Sequence, residues 1–270
     1  MANPDLLAIL QQGVDAWNEW RQTHLVRLGI KPDLSGMNAP MELLSGIHLS
    51  RAILTEANFR RANLCKADLS RAELFRANLS RSNLRWINLS GADLDEADLS
   101  AVVGSEANLD GASLDRAILL RGRFSKSSFN LATSRGADWR WAILEAVNFT
   151  RANLSNSNFH GVNLRYANLN EATLTGADLS LADLTGANLT RADLTGANLT
   201  GADLSNANLS RSMLQRTNLT EAYLSNAKLH HANLEDAILF NADIYRADLT
   251  HANLDFANLD GVELLDAIWS

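Results

Sequence analysis

Cysteine is nearly missing from this chain: Cys65 is alone among 270 residues, so no intrachain disulfide framework exists. A lone thiol just after a repeat centre reads as an exposed group rather than a redox site. Proline occurs only at positions 4, 32 and 40, so nothing further along the chain lacks a backbone N–H donor. No apolar run approaches the roughly 18 residues of a membrane span. The N-terminus has no basic-then-apolar layout of a secretory signal, and a cytoplasmic protein is expected. No glycine-rich phosphate loop or nucleophile elbow occurs, so no catalytic residue nominates itself.

What the sequence does have is a register. From Leu49 to Trp269 it repeats every five residues without insertion or deletion, giving 45 pentads, 35 of them with Leu at the centre and 33 with Ala two places earlier. A period of five matches neither a strand nor an α-helix, so neither element can hold Leu and Ala on one face over such a length. The chain must turn in every pentad. If four pentads close one square turn, each coil takes 20 residues, and coils stacked at roughly 4.8 Å build a rod about 50 to 60 Å long around a column of Leu and Ala. An interior filled in this way leaves no cavity for a substrate.

Runs such as Ala177-Asp178-Leu179-Ser180-Leu181 and Ala187-Asn188-Leu189-Thr190-Arg191 resemble the A(D/N)LXX signature of pentapeptide-repeat proteins. The resemblance covers about five-sixths of the chain. It implies an all-β solenoid, a right-handed quadrilateral β-helix, here of about 11 to 12 coils with an N-terminal α-helical cap. Handedness and squareness come from the family, since spacing shows only that the chain turns. The Trp17-Asn18-Glu19-Trp20-Arg21 run followed by Pro32-Asp33-Leu34-Ser35-Gly36 also looks like the leader of cyanobacterial-type members.

Residues 1–31 are different material. Asn3 and Pro4 read as N-cap and first helical residue, and Leu6, Leu7, Leu10, Val14, Trp17 and Trp20 recur at helical spacing, which predicts one amphipathic helix ending near His24 to Gly29. A solenoid end exposes Leu centres and unpaired backbone groups, so the helix is expected to lie across it as a cap, with the β-helix occupying 32–270. Beyond Trp269 only Ser270 follows. Trp269 is expected to act as the lid there, or the bare coil to pair with a second molecule in an end-to-end homodimer.

Charge is segregated along the register. Residues 49–86 carry eight Lys or Arg against three acids, a net +5, and residues 171–270 carry five bases against 14 acids, a net −9. The basic residues Arg51, Arg60, Arg61, Lys66, Arg71, Arg76, Arg81 and Arg85 fall on all four sides, and the chain is acidic as a whole, so a nucleic-acid patch is not expected. The acidic half suggests another function. Fluoroquinolone-resistance members of the family resemble duplex DNA in size and charge and bind DNA gyrase. Asp183, Asp203, Asp243 and Glu263 share one column here, interrupted by Tyr223. Those proteins commonly use Phe centres, a C-terminal dimer helix and a projecting loop, whereas this chain has mostly Leu centres and no insertion. Outward Asn residues such as Asn148, Asn168, Asn188 and Asn208 are expected to form neutral amide ladders.

The repeat is weakest between 118 and 147. Gly122 replaces Ala, Ser134 replaces a central Leu, Trp139 fills another centre, and Leu120, Leu131, Trp141 and Ile143 take outward positions. Either Leu131 turns in to fill the space left by Ser134, or these side chains form an exposed patch that binds a partner. At Gly104 a centre is lost, and Val102 in place of Ala is expected to compensate the volume. Phe240, Tyr245 and Phe256 form a second outward aromatic group. His231 and His251 share a column with His230 adjacent, without a carboxylate or Cys at a recognised ligand spacing, so no metal or other cofactor is expected. The expected function is a non-catalytic scaffold for an unidentified protein partner, with gyrase-directed DNA mimicry as the alternative.

Overall fold

In a computed structural model, which describes residues 3–24 and 31–269, the chain begins with two short helices and continues as stacked coils. Helix α1 is Pro4–Leu10 and helix α2 is Val14–His24. The single helix expected from the apolar spacing is therefore two. Gly13 stands at φ +108°, a conformation that cannot continue an α-helix, and the chain turns there. The far end of the expected helix, residues 25–29, lies outside the described residues. Asn3 caps α1 by accepting the Asp5 amide at 2.9 Å, and its own amide donates to the Asp33 carbonyl at 3.0 Å.

From Asp33 onward, single parallel β-bridges join residue i to residue i+20 in four ladders, which start at Asp33, Asn38, Leu43 and His48. One coil is thus four pentads, one per side. Isolated bridges rather than strands arise because each side has only a residue or two in extended conformation before the chain turns again. Every fifth residue from Gly36 to Gly261 sits in the left-handed region, with φ between +53° and +77°. This is the third position of a turn closed by the Ala amide on the central carbonyl, as from Ala72 to Leu69 at 3.1 Å.

The pentad Asp68–Ala72 shows why the sequence reads as it does. The Asp68 amide donates downward to the Ile47 carbonyl at 2.9 Å, and those of Leu69 and Arg71 donate upward to Asn88 and Ser90 at 2.7 and 2.8 Å. The Ala72 amide closes the turn. That leaves Ser70, whose amide donates to Asp68 Oδ1 at 3.0 Å. All five N–H groups of the pentad are satisfied, the last by a side chain only Asp or Asn presents at that distance from the backbone. Where Ser113, Ser128 and Thr133 replace the Asx residue, an Asp one coil below substitutes: Asp95, Asp110 and Asp115 accept the amides of Asp115, Asn130 and Arg135 at 2.8–3.0 Å. Asparagine side chains also bond between coils as anticipated, for example Asn188 to Asn168 at 3.0 Å.

Helix α2 completes the open edge of the first coil. Trp17 is fully buried and its indole donates to the His48 carbonyl at 2.8 Å. Arg21 adds a second donor to that carbonyl at 3.0 Å and bonds Ser50 Oγ at 2.8 Å, while Asn18 Oδ1 accepts the His48 amide at 2.8 Å. In later coils these groups are met by the neighbouring coil; here a helix supplies them. Leu6 is buried, and Leu10, Val14 and Trp20 pack partly against the core. At the other end Trp269 remains exposed, its indole on the Leu264 carbonyl at 3.3 Å.

The core resolves both irregularities differently from expectation. The space at Gly104 is taken by Phe124, one coil on. A Cβ at Gly104 would lie 2.6 Å from its ring and one at Gly122 2.9 Å away, so two glycines make room for one Phe and Val102 is secondary. Leu131 does not turn in at Ser134, since its side chain is 57% exposed. The centres of that coil are instead Phe124, Phe129, Ser134 and Trp139, with the Trp139 indole donating to Ser134 Oγ at 2.9 Å. Trp139 stacks on Phe159 with ring centres 5.7 Å apart and lies edge-on to Phe129 at 5.4 Å. Volume is conserved across the whole coil rather than at any one centre.

Gly104→Ala is expected to cost about 1–3 kcal/mol by overpacking Phe124, read as a fall in denaturation midpoint. Adding Phe124→Leu removes the clash, so that background should tolerate the extra methyl group better than the native one does; equal losses in both backgrounds would contradict this packing.

A candidate interaction face

The left-handed residues form four corners, and in each corner residues 20 apart stack along the rod. On the corner of Trp141 the sequence runs Trp141, Gly161, Leu181, Gly201, and on the next corner Tyr166 is followed by Gly186. Each bulky group lies over the glycine one coil on. A Cβ at Gly161 would collide with the Trp141 ring, one at Gly186 would lie 2.8 Å from Tyr166, and one at Gly201 2.9 Å from Leu181. Trp141, Tyr166 and Leu181 remain 50–58% exposed. Ile143, half-buried, lies on the side between these two corners.

The structure therefore regroups the candidates. Trp141 and Ile143 belong together, and Leu120 is half-buried beside their corner. Leu131 occupies the diagonally opposite corner, ten residues away in register, and cannot share a surface with Trp141. Tyr166 and Leu181, which sequence reasoning passed over, join the patch. Their signal was a bulky residue with glycine 20 positions later. Phe240, Tyr245 and Phe256 are exposed; Phe240 and Tyr245 precede the corner residues Asn241 and Arg246, on the same side as Trp141 and Tyr166 but four to five coils further on, and Phe256 lies on another corner.

Polar groups frame the face. His160 meets Trp141 edge-on with ring centres 5.1 Å apart. The Arg165 guanidinium lies 5.5 Å from the Tyr166 ring centre and pairs with Asp183 at 3.2 Å. Burial pushes the Asp183 carboxyl up, but the Thr185 hydroxyl and amide together with Arg165 hold it below the usual carboxylate value. Asp203 and Asp243 also accept turn amides, at 2.9 Å each from Ser205 and Tyr245, so this acidic column is bonded to its own backbone through one oxygen per carboxylate. Two further corners carry ion ladders, Arg76–Glu96–Arg116 and Arg151–Glu171–Arg191. His230, His231 and His251 cluster with ring centres 4.1–5.7 Å apart. Desolvation and then the neighbouring imidazoles lower the His231 pKa. Cys65 is half-buried.

The filled interior holds along the rod, but a cleft of about 1000 Å³ opens between the helices and the first coil. Leu7, Leu10, Val14, Met37 and Leu43 line it together with Glu42 and Glu56.

Against known proteins, the family model for pentapeptide repeats matches the chain in eight copies between residues 43 and 265. The chain belongs to the pentapeptide repeat family. Members with known structures fold as right-handed quadrilateral β-helices, and they are generally non-enzymatic structural or interaction proteins. HetL, a pentapeptide repeat protein involved in heterocyst differentiation regulation in the cyanobacterium Nostoc, is 32% identical over 90% of this chain and 93% of its own, with a TM-score of 0.30. Rfr23 from the cyanobacterium Cyanothece is 33% identical over 47% of this chain and 66% of its own, with a TM-score of 0.17. QnrB1, a plasmid-mediated fluoroquinolone resistance protein, is 17% identical over 87% of this chain and 90% of its own, with a TM-score of 0.27. No curated protein sequence matches.

The ion ladders set an acid limit. Arg76 holds Glu96 below its ordinary value and Arg151 does so for Glu171, and outside the ladders Arg140 does the same for Asp138 two residues away. A depressed folded value means stability that is present above the unfolded carboxylate value of about 4 and lost as pH falls through the folded values. The melting temperature should decline below about pH 4, and Arg76→Met should shallow the decline. Melting that is indifferent to acid would contradict these pairings.

Proposed function

We propose that the chain is a rigid, non-catalytic rod that holds a protein partner, wound right-handed as a quadrilateral β-helix and working in the cytoplasm. The observation that carries this reading is the set of Trp141, Tyr166 and Leu181, each half or more exposed and each laid over a glycine. Corner positions tolerate Gly, Asn or charged residues, and a bulky apolar group there, left half or more exposed, gains only partial burial to offset the strain of its left-handed backbone. Trp and Tyr, large and rigid with a polar tip, are the residues that anchor interfaces. Neither a membrane nor a nucleic acid fits a face built this way on an acidic protein.

One observation favours a second reading. Asp183, Asp203 and Asp243 follow one ladder down the acidic half, the arrangement a DNA mimic directed at gyrase would use. This reading predicts that purified protein inhibits gyrase supercoiling at low concentration, whether or not Trp141 is present.

The first reading is tested by immobilising the wild type beside Trp141→Ala/Tyr166→Ser in a bacterial lysate. A protein retained by the wild type and lost from the variant, with melting temperature unchanged, is expected. Identical capture by both would contradict the face as the contact surface.

A further inference from the structure

The side that carries Trp141 and Tyr166 is also electrically bipolar. The span from one of its corners to the next brings Arg61, Lys66, Arg81, Arg85, Arg121, Arg123 and Lys126 to one half, against Glu42, Glu106 and Glu145. The other half carries Asp183, Asp203, Glu221 and Asp243, against Arg246, and beyond the end of the ladder Glu263 and Asp266 lie beside Asp243 and Tyr245. The adjoining side, built on the ladder from His48 to Asp248, lacks this polarity, since its acidic-end corner presents Arg191, Arg211, His231 and His251. The apolar patch sits between the two charged halves, on the coils of Trp141, Tyr166 and Leu181.

We propose that a second copy of this chain docks on this side, antiparallel and face to face. The inference rests on the reading that this face is the contact surface, and it names the occupant. A two-fold axis must map the interface onto itself. An axis crossing the rod at the coil of Gly161 and Tyr166 does so with matching chemistry. It sets Trp141 against Leu181 of the second copy, Gly161 against Gly161, and Tyr166 against Tyr166, so that apolar groups meet where backbones approach most closely. The same operation brings Arg123 opposite Asp203, twice, and sets Lys66 against the last coil, where Glu263 and Asp266 lie beside Asp243 and Tyr245. A parallel arrangement would instead stack basic on basic and acidic on acidic. An end-to-end arrangement would leave the patch uncovered.

The charges set partner orientation and the patch supplies area. Exposed pairs are screened within about 10 Å at 0.1 M salt, so added salt should weaken the dimer. Three charges of the basic half are out of place. Glu42 extends past the second copy's last coil, Glu106 falls opposite Asn226 and Glu145 opposite Thr185 rather than a base.

Cys65 supplies a native probe, being the only cysteine and lying on this side near its basic end. It is five coils from the proposed axis, so spin labels on the two copies should sit about ten coil spacings apart, about 48 Å. The expected results are a dimer mass at low salt and a dipolar distance near that value. Labels much closer, as in parallel pairing, or nearly twice as far, as in pairing at the C-terminal coils, would overturn the antiparallel arrangement. Arg123→Asp and Asp203→Lys should each be monomeric alone, and an equimolar mixture of the two should recover the dimer because every facing pair is then opposite in sign. Failure of the mixture to associate, with both variants melting as folded proteins, would sink the proposal. A wild type that is monomeric but still captures a partner lost on Trp141→Ala/Tyr166→Ser leaves the contact face standing and removes self-pairing. A dimer that survives the double variant removes both.

Discussion

The structure depends on one requirement: a chain that turns every five residues must find an acceptor for every backbone amide. Three amides of each pentad go to neighbouring coils and one closes the turn, as Asp68–Ala72 shows. The fifth has no backbone partner, and the Asx residue before the centre supplies one from its side chain. An unpaired amide in a buried or half-buried setting costs about 1–3 kcal/mol. Multiplied along a rod, that cost explains why Asp and Asn recur at this position although they are poor strand residues elsewhere.

From this follow the core and the surface. Fixing the turn fixes which side chains point inward, so Leu and Ala fill the axis and any departure must be balanced within its coil. Phe124, Phe129, Ser134 and Trp139 do so together. Fixing the turn also puts every corner residue in a left-handed conformation, most of them non-glycine. With backbone geometry set by the ladders, those corners are free to carry ion ladders, imidazoles or a bulky apolar group, and they are where the chain differs from an anonymous repeat.

Much of this was legible in the sequence. The five-residue period is a geometric statement, and the register, the filled axis and the amide ladders followed from it directly. What was not legible lies at a stride of 20. Ser134 looked like a defect because its compensation by Trp139 and the neighbouring Phe residues is visible only around one complete coil. Leu131 looked like a neighbour of Trp141 because ten residues is close in sequence but half a coil in space. Tyr166 and Leu181 were missed for the same reason, being one and two coils along. The break at Gly13 had a signal of its own, a glycine in the middle of an apolar helical spacing, which the run of Leu and Trp on either side concealed.

Amide hydrogen exchange, resolved by residue, tests the central claim most directly. If side chains supply the fifth acceptor, the amides of Ser70, Ser80, Thr190 and Thr200, which donate to Asx oxygens, exchange slowly. The amides of Ser105, Ser125 and Ser225, which follow Val103, Arg123 and Tyr223 in place of an Asx residue, exchange fast within equally stable coils. Uniform exchange at this position, regardless of the residue before the centre, would contradict the account.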